Sequence, residues 1–403
     1  MTDRLDVTWL TPWYPWDGDP MSGVFHRTQA QAVVRAGANV RVVAPRPAAP
    51  APLPWLSARW AKYAAIPRAE ADGPVEVLRP SYLAVPGEPA WAHPSWAVAR
   101  AARGALRGVP APDLLHGHFV VPTGMATRRV AGTLDRPYVL TVHWYDATSW
   151  PAAHADHLDE YRATLRGASA VLSVSDAIGR RLNELAGVDP LTLPLGVDHA
   201  SLRALALPKG EARAALGIPD DRFVVLFAAR TTAHKGLAEF AEAALGLGDG
   251  FLSLVAGGGP MLGHRADEGR EGDRLRYAGP QDRAGVVRHM CAADVLVLPS
   301  YQEGLPTVLV EAGSLGLPVI ASAVDGTPEL LAGDAGLLIA PRDPAAIVAA
   351  VRAAAADPTT ASARADRLRA RVEADYDVDR NARRLVDLYR DVVASRGPGG
   401  PAR

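Results

Sequence analysis

Short apolar runs alternate along this chain with longer stretches of helical character, and the runs are typical of buried strands. In the amino half they lie at 7–10, 40–43, 75–78, 114–116, 138–142, 170–174 and 191–193; in the carboxyl half they lie at 223–228, 251–255, 275–277, 295–298, 318–321 and 337–339. Strands separated by helix-length segments predict βαβ units and parallel sheets with helices on both faces. Two such sheets in succession predict an α/β protein with two Rossmann-like domains.

Breaks in the pattern indicate where these domains meet. Pro208-Lys209-Gly210 and Gly217-Ile218-Pro219-Asp220 interrupt regular structure in the region 199–221. We therefore expect an amino-terminal domain over residues 1–200 and a carboxyl-terminal domain over residues 201–375. A last helical segment follows within 376–403, and its tail, 397–403, is expected to be disordered.

Composition narrows the class of protein. The 403 residues suffice for two cores, and a net charge of −1 provides no overall field that would recruit nucleic acid. The single cysteine, Cys291, excludes an internal disulfide and suits a reducing cytoplasm; we expect it to pack in a core. The charged opening does not fit a signal peptide, and no apolar run reaches the length of a membrane span. A cytoplasmic protein is expected.

Two carboxylates follow the apolar run 295–298. Glu303 precedes Gly304-Leu305-Pro306, which is typical of a tight turn, and Glu311 falls in the helix that Pro306 is suited to begin. We expect Glu303 at the carboxyl end of a strand and Glu311 about two turns into the next helix. Backbone N–H groups at the helix start favour an anion. The alternative is that both glutamates are ordinary surface residues around a turn.

Two cations follow the run 223–228. Arg230 and Lys235 lie five positions apart on the predicted loop, where they could hold a diphosphate from two sides. The chain has only three lysines, at 62, 209 and 235, so a lysine here suggests a need for a compact charge. A chance lysine on a solvated loop is the alternative.

Further motifs complete an ordered set over both halves. The carboxyl half contains Ala256-Gly257-Gly258-Gly259-Pro260, Tyr277-Ala278-Gly279-Pro280, Gly316-Leu317-Pro318-Val319 and Gly326-Thr327-Pro328-Glu329; the amino half contains Ser22-Gly23-Val24-Phe25-His26, His116-Gly117-His118, Thr141-Val142-His143 with Asp146, and Gly196-Val197-Asp198. This set resembles the retaining, nucleotide-sugar-dependent glycosyltransferases of family GT4. The resemblance implies the GT-B fold, in which an acceptor-binding and a nucleotide-sugar-binding domain face each other across a cleft and the last helix returns to the amino-terminal domain.

The resemblance also implies roles for residues of the carboxyl half. Glu303 would contact the sugar of the donor and Glu311 the ribose, while Arg230 and Lys235 would hold the diphosphate and stabilise charge on the leaving group. The remaining donor-binding positions are expected at Gly257, Gly279, Leu305, Pro306 and Thr307, joined from the amino half by Gly23. A UDP- or GDP-sugar is the expected donor, although no residue pattern distinguishes the bases.

The amino half is expected to hold the acceptor. His143 follows a predicted strand, and the resemblance gives it a sugar-contacting, catalytic role. His26, His118, Trp144 and Asp146 are the expected acceptor-side residues; Trp144 stands where the family often has glycine, and we predict that it shapes specificity. The acceptor would be a glycan, a lipid-linked molecule or a small molecule, in the synthesis of cell-envelope polysaccharide.

No metal or other cofactor is expected. His116 and His118 lack an evident third ligand. Asp17-Gly18-Asp19 resembles a metal-binding signature of a different glycosyltransferase fold, but its setting favours a turn. Arg230 and Lys235 would supply the positive charge that a metal provides elsewhere. A sugar phosphorylase of the same fold and an inactive nucleotide-sugar-binding protein are the alternative functions.

One region departs from the family pattern. Residues 44–66 are rich in proline and then carry Trp55, Leu56, Trp60, Tyr63 and Ile66 beside Arg59 and Lys62. Their spacing would place the apolar side chains on one helical face. This predicts either a helix packed on its own domain or a patch that contacts the acceptor or the inner face of the plasma membrane.

Overall fold

The computed structural model describes residues 4–48, 52, 55, 57–84, 95–262 and 274–395. The chain divides into two compact units. The first runs to Gly196 and resumes at Val378, and the second is Val197–Asp377. The sequence places the divisions after residues 200 and 375; the structure places them after Gly196 and Asp377.

The first unit is built on a mostly parallel sheet. Its strands are β1 Leu5–Leu10, β2 Ala38–Val43, β3 Arg46–Ala48, β4 Ala69–Asp72, β5 Val75–Leu78, β6 Ser81–Leu83, β7 Leu114–His118, β8 Tyr138–Val142, β9 Ala170–Ser173 and β10 Leu191–Thr192. Eight of them form a sheet in the order β10-β9-β8-β7-β1-β2-β5-β4, and β3 pairs separately with β6. All neighbours are parallel except β4 and β5, which form an antiparallel pair.

Helices connect these strands. They are α1 Val24–Arg35, α2 Ala58–Ala65, α3 Ser95–Ala105, α4 Met125–Leu134, α5 Trp144–Ala147, α6 Ser149–Ala153, α7 Leu158–Arg166 and α8 Asp176–Ala186. A π-helical turn, Val120–Gly124, follows β7, and a 3-10 turn, Ala155–His157, precedes α7.

The second unit has a fully parallel sheet of six strands in the order β13-β12-β11-β14-β15-β16. These are β11 Phe223–Ala228, β12 Phe251–Ala256, β13 Leu275–Gly279, β14 Val295–Leu298, β15 Val319–Ser322 and β16 Leu337–Ile339. Its helices are α9 His199–Ala204, α10 Lys209–Leu216, α11 Leu237–Leu247, α12 Arg283–Ala292, α13 Thr307–Ser314, α14 Thr327–Leu330, α15 Pro344–Ala356 and α16 Pro358–Asp375. Cys291, in α12, is only partly buried rather than a core residue.

The last helix, α17 (Val378–Ser395), belongs to the first unit. Its apolar side chains recur at intervals of three or four residues, so they form one face. Leu385 and Tyr389 on that face are fully buried in the same core cluster as Val7 and Trp9 of β1. The hydroxyl of Tyr389 also lies 2.6 Å from Nδ1 of His116 on β7. The helix is therefore part of this core.

The pattern of apolar runs locates the main strands but misses β3, β4 and β6. Strand β4 has the sequence Ala-Glu-Ala-Asp, which carries no apolar run, and it exists because a turn at Gly73 pairs it with β5. The expectation of parallel sheets is therefore wrong for this edge.

The predicted helical face over 55–66 does not form as one surface. Helix α2 begins at Ala58, so Trp55 lies outside it, and Trp55 is 82% exposed. Trp60 is buried and packs edge-on against Tyr63. Leu56 lies outside the described residues, as does the tail 397–403. None of the described helices is long and apolar enough to cross a membrane.

Candidate active site

The second sheet brings the predicted site residues of the carboxyl half to one edge. Strand β11 lies between β12 and β14, and the order of the strands reverses there. In parallel sheets the loops after the two strands at such a point diverge and leave a crevice for ligands. Arg230 and Lys235 lie on the loop after β11, and Glu303 lies on the loop after β14.

Glu303 is held by three partners. The ammonium of Lys235 and the hydroxyl of Ser300 both donate to its Oε1, each at 2.6 Å. The backbone N–H of Glu303 donates to Oδ2 of Asp325, on the loop after β15, at 2.8 Å. The Glu303 side chain is 6% exposed and that of Lys235 is 21% exposed. The carboxylate therefore has a fixed position beside a cation that still reaches solvent.

The loops after β11 and β14 are in direct contact. The backbone N–H of Tyr301 donates to the carbonyl of His234 at 2.8 Å. Gly236 has a φ of 73°, and a Cβ atom there would lie 2.1 Å from the carbonyl oxygen of Pro299. Burial, followed by the charge of Lys235, lowers the pKa of His234. Arg230 itself is exposed. The two predicted cations thus differ: one is paired with Glu303 and the other faces solvent.

Helix α13 carries the second glutamate. It begins at Thr307, after the buried residues Leu305 and Pro306, so Glu311 lies only about one turn into the helix. The expectation of two turns is wrong because Gly304–Pro306 forms a loop before the helix. Desolvation raises the pKa of the Glu311 carboxyl, and the nearby charge of Arg283 opposes the rise. Glu311 therefore binds a proton more readily than an ordinary glutamate.

Two predicted donor-binding glycines meet at the ends of β12 and β13. The backbone N–H of Gly257 donates to the carbonyl of Gly279 at 2.9 Å. Gly257 has a φ of 157°, and a Cβ atom there would lie 1.9 Å from the carbonyl oxygen of Ala229. Only glycine fits this position, because the backbones after β11 and β12 approach so closely.

The first unit brings four histidines together at the ends of β7 and β8 and the start of α1. The ring of His26 lies 4.5 Å from that of His118, which stacks on His116 at 4.3 Å. The ring of His143 stacks on Phe119 at 4.2 Å. The chain enters α1 through Gly23, where φ is 71° and a Cβ atom would lie 2.7 Å from the carbonyl oxygen of Trp13.

Burial keeps these imidazoles neutral. It lowers the pKa of His116 and of His143 to about 3, and it lowers the pKa of His26 and His118 well below the usual range. His26 and His118 are completely buried, and their ring nitrogens have no hydrogen-bond partner among the described residues. The structure therefore places both beneath the surface, whereas His143 retains 7% exposure.

Asp146 lies beneath His143 and is completely buried. Its Oδ1 accepts the backbone N–H of His143 at 3.1 Å, and its Oδ2 accepts that of Val120 at 2.6 Å. Burial raises the pKa of this carboxyl to about 7 although these hydrogen bonds oppose the rise. Both oxygens are thus occupied in joining the loops after β7 and β8. The neighbouring Trp144 is half-buried at the start of α5.

The described residues contain no group of three or more His, Cys, Asp or Glu side chains arranged to hold a metal ion. Asp17 and Gly18 form a turn closed by the N–H of Asp19 on the carbonyl of Trp16 at 2.8 Å, as the sequence predicts. Asp19 pairs with Lys62 at 2.8 Å.

Sequence reasoning missed two residues that hold Glu303. Ser300 is 1% exposed and lies two positions after the end of β14, so its place near a strand end was a usable signal. Asp325 lies 22 positions from Glu303, on a different loop, with a φ of 44°. No local pattern connects the two; only the neighbouring positions of β14 and β15 do so.

The motif order and the two units agree with a family assignment. Residues 23–201 match the family described as Glycosyltransferase Family 4, and residues 208–372 match the family described as Glycosyl transferases group 1. A protein named for teichuronic acid biosynthesis, the glycosyltransferase TuaC of Bacillus subtilis, is 32% identical over 390 residues, covering 96% of this chain and 99% of that protein. The chain belongs to glycosyltransferase family 4. The predicted membership is confirmed, and the protein is a glycosyltransferase.

A more distant relative and two solved structures extend the comparison. The D-inositol 3-phosphate glycosyltransferase of Kineococcus radiotolerans is 28% identical over 318 residues, 70% of this chain and 72% of that protein. Sucrose-phosphate synthase from Thermosynechococcus elongatus superposes with a TM-score of 0.77 at 23% identity, covering 97% of this chain and 100% of the other. Anabaena HepE in complex with UDP and glucose superposes with a TM-score of 0.70 at 18% identity, covering 96% and 99%. The predicted GT-B fold class is confirmed.

Proposed function

We propose that this glycosyltransferase moves a hexosyl group from a UDP- or GDP-sugar to an acceptor hydroxyl with retention of anomeric configuration. We propose that it does so without a metal and contributes to cell-envelope polysaccharide. The observation that carries the proposal is the contact of Lys235 with Glu303, at 2.6 Å, on the loops that flank the strand reversal. The name of the Bacillus relative, which refers to teichuronic acid, supports the polysaccharide role.

The second unit is proposed to bind the donor. Lys235 and the exposed Arg230 would face the two phosphates, and their charges would stabilise the diphosphate as the glycosidic bond breaks. Glu303 would accept hydrogen bonds from sugar hydroxyls, and Glu311 would do so from the ribose. Gly257, Gly279 and the segment 305–307 would supply the surrounding backbone, and Gly23, which lies in the first unit, stays a predicted donor-binding residue. The complex of HepE with UDP and glucose supports a nucleotide-sugar donor.

The first unit is proposed to bind the acceptor. His143, with its neutral ring and partly exposed edge, would contact a sugar hydroxyl. Asp146 would act through the position of His143, whose backbone it holds. Trp144 remains a predicted determinant of specificity, to be checked by comparing acceptor preference of the native chain with that of Trp144→Gly. Unchanged preference would remove Trp144 from the site.

The first experiment is thermal stabilisation by a panel of UDP-, GDP-, ADP- and TDP-sugars, with and without chelator. A ligand that binds only the folded state raises the melting temperature by mass action. We expect one base series to stabilise the chain, chelator to have no effect, and Arg230→Ala or Glu311→Ala to abolish the shift. Stabilisation by none of the series would contradict the proposed donor site.

Turnover then separates the proposed reaction from its two alternatives. A transferase releases free nucleotide diphosphate in proportion to the acceptor added, without inorganic phosphate. A requirement for inorganic phosphate would indicate a phosphorylase, and binding without turnover would indicate an inactive nucleotide-sugar-binding protein. Glu303→Gln is expected to retain nucleotide binding while turnover falls by about two orders of magnitude.

We further propose cytoplasmic action with peripheral contact at the inner face of the plasma membrane. Large apolar side chains are exposed on the first unit: Trp55 at 82%, Leu83 at 73% and Trp96 at 60%. Leu83 and Trp96 lie on β6 and α3, which pack together. Cosedimentation with anionic vesicles, lost in Trp96→Ser, is the expected result; equal pelleting of the variant would contradict this contact.

A further inference from the structure

A cavity of about 250 Å³ lies within the first unit, beside the histidine cluster. Its walls come from the loop after β1, from β3 and β6, from α2 and α3, and from the π-helical turn after β7. Phe119, which stacks on His143, is one of the lining residues. The volume is slightly below the usual range of about 300–1,000 Å³ for small-molecule pockets. It suits a single sugar residue or a similar small group.

The lining of this cavity is strongly cationic. Four basic residues contribute to it, Arg46, Arg59, Lys62 and Arg79, against one carboxylate, Asp19, which pairs with Lys62. Arg79 is balanced by Glu70, which lies outside the lining. Arg46 instead donates to the backbone carbonyl of Tyr63 at 2.7 Å. Among Arg46, Lys62 and Arg79, two are paired, Lys62 with Asp19 and Arg79 with Glu70, which leaves an excess of at least the charge of Arg46.

Two of these arginines have unmet hydrogen-bonding capacity. Nη1 of Arg79 and Nε of Arg46 are buried and have no partner among the described residues. Arg79 is 2% exposed, so neither bulk solvent nor a side-chain carboxylate reaches that nitrogen. A buried guanidinium donor without a partner is costly, and an anion that accepted from it would offset that cost.

Aromatic side chains form much of the remaining wall. Trp13, Trp16, Tyr63 and Tyr82 line the same space. Aromatic faces pack against the C–H surface of a sugar ring, and guanidinium forks bind carboxylate or phosphate. A neutral sugar would use the rings but would leave the cationic excess without a counter-charge.

We propose that this cavity binds the anionic group of the acceptor, a carboxylate or phosphate carried on a sugar residue. The proposal rests on the proposed function in one respect, that the first unit binds the acceptor. Arg46 and Arg79 would meet the anion, and the aromatic walls would hold the ring that carries it. The chain would then select acidic acceptors over neutral ones.

Tryptophan fluorescence tests this proposal directly. All nine tryptophans lie between Trp9 and Trp150, so the emission comes from the first unit, and two of them line the cavity. The intact chain is titrated with glucuronate, with glucose 1-phosphate and with glucose. We expect at least one of the anions to bind at least tenfold more tightly than glucose, and the tighter of the two identifies carboxylate or phosphate as the anion.

Variants locate the effect. Arg46→Gln should weaken anion binding at least tenfold. Lys62→Gln should weaken it only about threefold, because Lys62 is exposed and is already paired with Asp19. Arg100→Gln, an exposed position on α3 outside the cavity lining, should leave binding unchanged. Equal affinity for glucose and both anions would overturn the proposal, and so would wild-type affinity in a folded Arg46→Gln.

The donor site provides the remaining control. Arg230→Gln should keep the anion response, because Arg230 lies in the second unit, which has no tryptophan. Loss of the response in Arg230→Gln alone would overturn the proposal by assigning the anion to the donor site. Suppose that no nucleotide-sugar stabilises the chain but the anion response is kept and still depends on Arg46. That result would count against the proposed function and would support anion binding in the cavity.

Discussion

Asp146 should make the stability of the first unit depend on pH. Burial raises the pKa of its carboxyl from 3.8 to about 7 in the folded chain. One pKa unit corresponds to about 1.4 kcal/mol, so a shift of about three units corresponds to ~4 kcal/mol. Between pH 4 and 7 the folded state binds a proton here that the unfolded state has released. The contribution of Asp146 to the free energy of unfolding should therefore fall as pH rises through this window and level off above it, whereas the four buried histidines, whose pKa values are lowered, contribute in the opposite direction.

Replacement by the uncharged isostere isolates this effect. In Asp146→Asn the titrating group is absent. The difference between the free energies of unfolding of the native chain and of the variant should therefore fall by about 4 kcal/mol from pH 4 to pH 8. The variant also leaves one of the N–H groups of Val120 and His143 without an acceptor. That loss costs about 1–3 kcal/mol but does not depend on pH.

Urea unfolding followed by tryptophan fluorescence measures the first unit, because every tryptophan lies in it. Tyr161→Phe is the matched control. It removes the hydrogen bond from the Tyr161 hydroxyl to the carbonyl of Asp146 but leaves the carboxyl intact. It should lower stability by about 1 kcal/mol equally at every pH in this range. Parallel pH profiles for the native chain and Asp146→Asn would refute the reasoning.

Three further predictions concern the second unit. Lys235→Ala leaves the buried Glu303 carboxylate without its cation and should lower the free energy of unfolding by roughly 2–3 kcal/mol, as measured by urea unfolding followed by circular dichroism. The loss is smaller than for a fully buried pair because Lys235 is partly exposed. Nucleotide affinity, measured by calorimetry, should weaken as pH falls, because protonated Glu311 accepts hydrogen bonds from the ribose less well. The weakening should begin at a pH above the usual pKa of a glutamate, because the pKa of Glu311 is raised. Gly257→Ala should cost about 1–3 kcal/mol through its collision with Ala229.

Each has its own control and contrary result. Lys209→Ala removes a more exposed ion pair and should cost less than Lys235→Ala; an equal cost would contradict the special place of Lys235. Glu311→Gln should bind nucleotide weakly and with no pH dependence in this range. If the variant kept the pH dependence of the native chain, another group would be its cause. Gly250→Ala has open space around the new methyl group and should be nearly neutral; a loss matching that of Gly257→Ala would exclude the collision as the cause.

The fold was largely predictable because buried parallel strands are continuous apolar runs, and β11 and β14 stand out as Phe223–Ala228 and Val295–Leu298. Strand β4 was not predictable, because its pairing with β5 depends on a turn and not on an apolar run. The juxtaposition of Lys235 with Glu303 follows from the shared edge of a parallel sheet. The hydrogen bond from Glu303 to Asp325 could not be predicted in this way, because it depends on which strand lies next to β14.

The histidines show the same limit. Their positions at the ends of β7 and β8 follow from the sequence, but the complete burial of His26 and His118 depends on how α1 packs over the sheet. The cavity in the first unit was also beyond prediction. Two of its arginines, Arg46 on β3 and Arg79 directly after β5, are separated by more than 30 positions, so no local spacing indicates that they line the same space.

Helix α17 has a consequence for how the chain is made. The core of the first unit contains Leu385 and Tyr389, which are synthesised after the whole second unit, and β1, which is synthesised before it. The second unit, Val197–Asp377, is contiguous and can close its core while α17 is still being translated. During synthesis the part of the first unit before Val197 must therefore wait, with an unfilled groove over β1 and α1, until α17 has been translated. A premature stop before Val378 would release a product whose second unit is complete and whose first unit lacks part of its core.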